Sequence, residues 1–151
     1  LQTNKVRQIV GKVNMIQSVD SEKLAGEIAK HSLAKGITTD ILIEVNIGNE
    51  VSKSGVAPQD LEGLLFQIGT MRGISVKGLM AIPPICDKKG EICKYFCAMY
   101  KLFIDMKAKK MDNVFMDYLS MGMSADYREA ILEGANMVRI GSSLFGPRLY
   151  R

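Results

Sequence analysis

The sequence predicts an α/β fold built on a parallel sheet. Two observations carry the prediction. Short apolar runs alternate with amphipathic stretches in the order β-α-β-α-β-α-β-α-β, a rhythm that calls for right-handed crossovers between parallel strands. Glycine and proline stand where the amphipathic stretches should stop or start. Spacing alone leaves two architectures open, a doubly wound open sheet and part of a (β/α)8 barrel.

Met15 to Val19 reads as the first strand. Asp20 is positioned to cap a helix that carries Leu24, Ala25, Ile28, Ala29 and Leu33 on one face and stops at Gly36. Ile41 to Asn46 is a β-branched run suited to a buried strand. A polar loop from Gly48 to Gly55 leads to Pro58, and Leu61, Leu64, Leu65 and Ile68 then give the stripe of a second helix ended by Gly69. Val76 to Ile82 is the third strand, closed by Pro83 and Pro84. The longest helix follows, with Ile92, Phe96, Met99, Phe103 and Met106 as core packing. Val114 to Leu119 runs as a strand into the turn Ser120 to Ser124, and Ser124 is a candidate N-cap for a short helix that stops at Gly134. Met137 to Gly141 is the last strand.

The 151 residues suit one domain spanning the whole chain. The net charge of +4 comes from 20 Lys+Arg and 16 Asp+Glu, scattered without a basic–aromatic block, so no nucleic-acid partner is expected. No apolar stretch reaches the length of about 18 residues that a transmembrane helix needs. Leu1 to Lys5 shows neither an initiator Met nor a signal-peptide core, so the chain is expected to be a fragment or a processed piece. Cys86, Cys93 and Cys97 read as free thiols, which fits a reducing cytoplasm, and the single histidine, His31, reads as a helix-surface residue.

Ligands of parallel α/β proteins bind at the C-terminal ends of the strands. The segments Ser120 to Ser124 and Arg139 to Ser143 stand out there. Gly122 and Gly141 allow close backbone approach, and Ser120, Ser124, Ser142 and Ser143 offer hydroxyls, the ingredients of a phosphate cup. Ordinary turn chemistry would use the same residues. Arg139 is unusual inside an apolar strand: its partner is either an anion or ring acceptor in a pocket, or a structural carboxylate such as Asp117 or Glu44.

Several segments resemble a known family. Leu1-Gln2-Thr3-Asn4-Lys5 is similar to its LQxNK element, and Val45 to Ile47 with Ser52 to Gly55 is similar to its VNI…SKSG loop. Gly78 to Pro83 resembles GLMAIP, Leu119 to Ser124 with Asp126 resembles LSMGMSxD, and Val138 to Gly141 with Phe145 to Arg148 resembles VRIG…FGxR. The family is that of the pyridoxal phosphate homeostasis proteins, single-domain relatives of the alanine racemase barrel.

The resemblance implies a partial (β/α)8 TIM-type barrel of about five parallel strands, with the first three βα units absent. It implies a site for pyridoxal 5′-phosphate in which Arg139 faces the pyridine nitrogen, Ser120, Gly141 and Ser142 hold the phosphate beside Gly122, and Met80 lines the pocket. The Schiff-base lysine of the family falls in the absent segment, so no catalytic residue is expected here. The implied role is cofactor binding and homeostasis, with pyridoxal phosphate-dependent apoenzymes as partners and self-association through open sheet edges. Two other classes remain: an amino-acid racemase, and a sugar-phosphate aldolase or isomerase using Lys53 or Lys77.

Overall fold

The structure is a computed structural model and describes residues 1–86 and 88–146. Its strands are β1 (Met15–Val19), β2 (Thr39–Val45), β3 (Ile74–Ala81), β4 (Val114–Met123) and β5 (Met137–Arg139). They pair in parallel and in chain order. That order decides between the two architectures. A doubly wound sheet reverses its strand order, so helices cover both faces. A sheet that never reverses sends each right-handed crossover to the same face.

The helices are α1 (Val6–Ile9), α2 (Glu22–Ala34), α3 (Leu61–Gly69), α4 (Lys89–Ala108), α5 (Tyr127–Leu132) and α6 (Ser142–Phe145). The first five share one hydrophobic cluster with Ile41, Ile43, Leu79, Leu119 and Met121 of the strands. Leu42 and Met80 are also buried but stand outside that cluster, on the opposite face. The opposite face is concave. Ser120 of β4 donates to Gln17 of β1 at 2.8 Å, and Gln17 donates to Sδ of Met137 on β5 at 3.1 Å. In a flat sheet, strands three apart lie about 14 Å from each other, well beyond the reach of a glutamine. The five strands therefore curl into a half-barrel, the expected partial barrel.

The expected stripes of α3 and α4 are buried in full: Leu61, Leu64, Leu65 and Ile68 on one, Ile92, Phe96, Met99, Phe103 and Met106 on the other. On α2 the expectation needs correcting, because Leu33 is 52% exposed and Ser32 takes the inward position. Ser32 lies four residues after Ile28 and so continues its stripe. Its hydroxyl donates to the Ile28 carbonyl at 2.8 Å and shares a hydrogen bond with Thr39 at 2.7 Å, so a polar group is buried without an unmet bond. The cap is Ser21 rather than Asp20: Ser21 Oγ accepts from the Leu24 amide and donates to Asp20 Oδ1. A 3₁₀ turn (Thr3–Lys5) and α1 precede β1, and they bury Val6 and Val10.

The strands begin or end a few residues from the expected points. β2 starts at Thr39 and β3 at Ile74, because each takes up its ladder partners there. In that ladder Ile41 faces Val76 and Leu42 faces Gly78, which leaves Lys77 as an extra residue in β3. Gly78 has φ +149°, and a Cβ there would fall 1.9 Å from the Tyr118 carbonyl oxygen, so only glycine lets β3 and β4 close.

Truncating Phe96 to alanine is expected to cost about 3–5 kcal/mol in urea unfolding, against about 0.5 kcal/mol or less for Leu33→Ala. Equal effects would contradict the assignment of these two helix faces.

Candidate functional site

The ladder sets Glu44, Met80, Ser120 and Met137 side by side across β2 to β5. Met80 is 4% exposed and lies on the concave face. Arg139 stands two residues beyond Met137, and its guanidinium turns inward. Nη1 donates to Ser120 Oγ at 2.6 Å, and Nη2 donates to the Ala81 carbonyl at 3.0 Å. Neither expected carboxylate forms an ion pair with it among the described residues. Asp117 is exposed, and Glu44 acts on Arg139 only as a nearby charge. Arg139 has five N–H donors. The two protein acceptors it reaches among the described residues leave others for a ligand.

Burial disfavours the charged form of both groups here. It is the largest effect raising the Glu44 carboxyl above its ordinary range, and the Asp20 carboxylate adds to it, while the Leu1 ammonium and Arg139 pull partly back. Burial likewise lowers the Arg139 guanidinium, against the attraction of Glu44 and Asp126.

The second cluster lies just above. Ser124 is not the cap of α5; its Oγ accepts from the amides of both Gly141 and Ser143, each at 3.1 Å. Asp126 occupies the cap position, and its Oδ1 accepts from the Met123 amide at 2.7 Å. Two backbone N–H groups thus converge on one oxygen, with Ser142 between them. Among the described residues, a Cβ on Gly141 would meet no atom within 4 Å. A recess of about 360 Å³ beside them is lined by residues that include Ser124, Arg128, Ser143 and the ion pair of Lys89 with Glu129.

Gly122 serves this cluster from below. Between the pairs Ser120–Met137 and Met123–Arg139, β4 carries one residue more than β5. Gly122 has φ +91°, and a Cβ would sit 2.5 Å from Ala130 Cβ. It is buried against α5, where it lets β4 bulge and deliver Ser124 beside Gly141.

The loop after β2 forms the wall of the mouth. Asn46 holds it through Nδ2 to the Glu50 and Lys53 carbonyls and Oδ1 to the Glu50 amide. Lys53 pairs with Glu50 at 2.5 Å and donates to the Pro83 carbonyl at 3.2 Å. Lys77 lies elsewhere, with Nζ 4.4 Å from the centre of the Phe115 ring. His31 sits on α2 with Nε2 3.0 Å from Glu27 Oε1. Cys86 Sγ donates to the Pro84 carbonyl at 3.5 Å, Cys93 and Cys97 are half-buried on α4, and no metal-binding group of side chains occurs among the described residues. Pro147 and Arg148 of the expected FGxR element lie outside those residues.

Gln17 and the pairing role of Ser124 were not anticipated. Gln17 gives no local signal, because its partners are 103 and 120 residues away. A large cleft of about 780 Å³, lined by Glu62, Phe66, Thr70, Lys109 and Met111, opens at the other end of the strands, away from Arg139 and the paired amides.

The architecture is a parallel half-barrel of the (β/α)8 barrel class, with a cation and two converging amides at its C-terminal mouth. Residues 1–148 match the family model of the alanine racemase N-terminal domain, and the chain belongs to that family. The pyridoxal phosphate homeostasis protein of Aquifex aeolicus is 43% identical over 150 residues, which cover 99% of this chain and 65% of that relative. This chain thus spans just under two thirds of that relative's length. PipY of Synechococcus elongatus with PLP bound aligns with a TM-score of 0.86 at 30% identity, covering 97% of this chain and 67% of PipY. A protein of unknown function from Bifidobacterium adolescentis aligns with a TM-score of 0.91 at 37% identity, covering 96% of this chain and 58% of its own. No helix among the described residues is long and apolar enough to cross a membrane.

Because the folded chain holds the Glu44 proton to higher pH than the unfolded chain, this group lowers stability as pH rises from the unfolded carboxylate range through the folded value. Glu44→Gln removes that loss. The stability of Glu44→Gln minus that of wild type is expected to grow as pH rises above the unfolded carboxylate range, about pH 4, in unfolding titrations. A flat difference would contradict the burial of this carboxyl.

Proposed function

We propose that this chain binds pyridoxal 5′-phosphate at the mouth of the half-barrel and serves cofactor homeostasis as a carrier, without turnover of its own. One observation carries the reading: the Gly141 and Ser143 amides converge on a single oxygen beside an inward-facing arginine. An oxygen acceptor already occupies the focus of two N–H dipoles, and a phosphate oxygen has the same chemistry with more charge. The donor set therefore fits the cofactor's phosphate.

In this reading Gly141, Ser142 and Ser143 hold the phosphate through the backbone, with Ser124 beside them. Gly122 sets the bend that brings Ser124 there. Ser120, expected on the phosphate, instead donates to Gln17 and accepts from Arg139, so in this reading it fixes the guanidinium that faces the pyridine nitrogen, and Met80 lines the floor. A cation at that nitrogen favours its unprotonated form, which makes the ring a weaker electron sink than an acidic partner would. Pyridoxal phosphate, when bound, supplies a reactive aldehyde on an electron-withdrawing ring.

Two relatives support the ligand: one carries the homeostasis name, and PipY has PLP bound. Recipients of the carried cofactor would be pyridoxal phosphate-dependent apoenzymes. The compartment would be the reducing cytoplasm, where thiols such as Cys93 and Cys97 stay reduced.

Equilibrium titration tests this reading. Wild type is expected to bind pyridoxal 5′-phosphate in competition with inorganic phosphate. Gly141→Asp adds a carboxylate next to the amides without a clash among the described residues, and should weaken both ligands at least about tenfold through charge repulsion. Unchanged affinities would contradict the cup.

A further inference from the structure

The geometry points to Gln17 as the positioning residue for Arg139, acting through the Ser120 hydroxyl. This inference rests on the cofactor reading above and adds to it a residue of β1, on the far side of the half-barrel. Ser120 is wholly buried, so its single hydroxyl proton must find an acceptor inside the protein. That acceptor is Gln17 Oε1 at 2.8 Å. A guanidinium only donates, and a hydroxyl whose proton is committed elsewhere presents lone pairs. Gln17 therefore turns the Ser120 lone pairs toward Arg139 Nη1, 2.6 Å away.

Gln17 is itself held. Its Nε2 donates to Met137 Sδ at 3.1 Å, which fixes which end of the amide faces Ser120. Met137 and Arg139 lie on the same short strand. The glutamine thus touches β5 directly and through Ser120, and holds the guanidinium on the concave side with the Ala81 carbonyl as the second anchor. The consequence is selective. Gln17 governs how the site receives the ring of pyridoxal phosphate, while the amides of Gly141 and Ser143, which it does not touch, continue to receive the phosphate.

Two variants separate positioning from packing. Gln17→Met keeps an unbranched side chain of similar size but offers the Ser120 proton only a thioether, a much weaker acceptor than the amide oxygen. Gln17→Glu keeps the acceptor. Each is titrated with pyridoxal 5′-phosphate and, separately, with inorganic phosphate, and the Arg139 guanidinium is followed by ¹⁵N NMR, its signals assigned by their loss in Arg139→Lys.

Gln17→Met is expected to weaken pyridoxal phosphate about tenfold, the worth of one hydrogen bond to a charged group, with inorganic phosphate unchanged. Gln17→Glu loses the bond to Met137 and adds a charge, but it keeps the Ser120 acceptor. Its ratio of pyridoxal phosphate to inorganic phosphate affinity should therefore stay nearer wild type than that of Gln17→Met. Slow rotation of the guanidinium should be seen in wild type and Gln17→Glu and lost in Gln17→Met. In a Ser120→Ala background, Gln17→Met should have no further effect, because the relay is already cut.

The inference is overturned if Gln17→Met binds pyridoxal phosphate as wild type does, if both ligands weaken together, or if the two substitutions simply add. Failure of wild type to bind pyridoxal phosphate while the guanidinium signals still depend on Gln17 sinks the cofactor reading and leaves the positioning of Arg139 standing.

Discussion

A guanidinium on a three-residue strand needs acceptors close at hand, and the concave face of the sheet supplies two. Arg139 reaches Ser120 Oγ on the adjacent strand and the Ala81 carbonyl one strand further on. Ser120 is free to accept because Gln17 takes its proton from across the half-barrel. An arginine left without such partners in a half-buried position would be costly. The same bonds tie β1 to β4 and β5, so one polar chain links the curl of the sheet to the placement of Arg139. The hydrophobic cluster on the other face supplies most of the burial, but it is indifferent to which polar groups face inward.

From that arrangement the rest of the mouth follows. β4 carries an extra residue at Gly122, which lets Ser124 meet the amides after β5. Asn46 and Lys53 brace the opposite wall by bonding to backbone carbonyls. The site is therefore built on strand ends and short turns with few free rotors. Such preorganisation suits holding a phosphorylated ring, because little order remains to be gained on binding.

The sequence revealed a large part of this. The helix stripes of α3 and α4 and the alternation of strands were legible, since periodicity records burial directly. Leu33 and Ser32 were exchanged because hydrophobicity ranked them, whereas the geometry of α2 placed position 32 on the stripe and Thr39 satisfied its hydroxyl. Val6, Ile9 and Val10 carry helix spacing, a signal sufficient to mark α1. Arg139 was legible as an anomaly in an apolar strand, but its partners were not, because both come from other strands. Ser124 looked like a helix cap, and its bonds to the Gly141 and Ser143 amides form only because β4 and β5 bring the two segments together. Gln17 was out of reach, since nothing near it in the chain marks which residue it will face.

The most direct test of the account is a backbone amide NMR titration of the chain with pyridoxal 5′-phosphate. The largest shifts are expected at Gly141, Ser142 and Ser143, with Arg139 and Ser120 following in the same saturable transition. If the largest shifts instead fall on Phe66, Thr70 and Lys109, the ligand occupies the large cleft at the other end of the strands. The account of the barrel mouth would then be wrong.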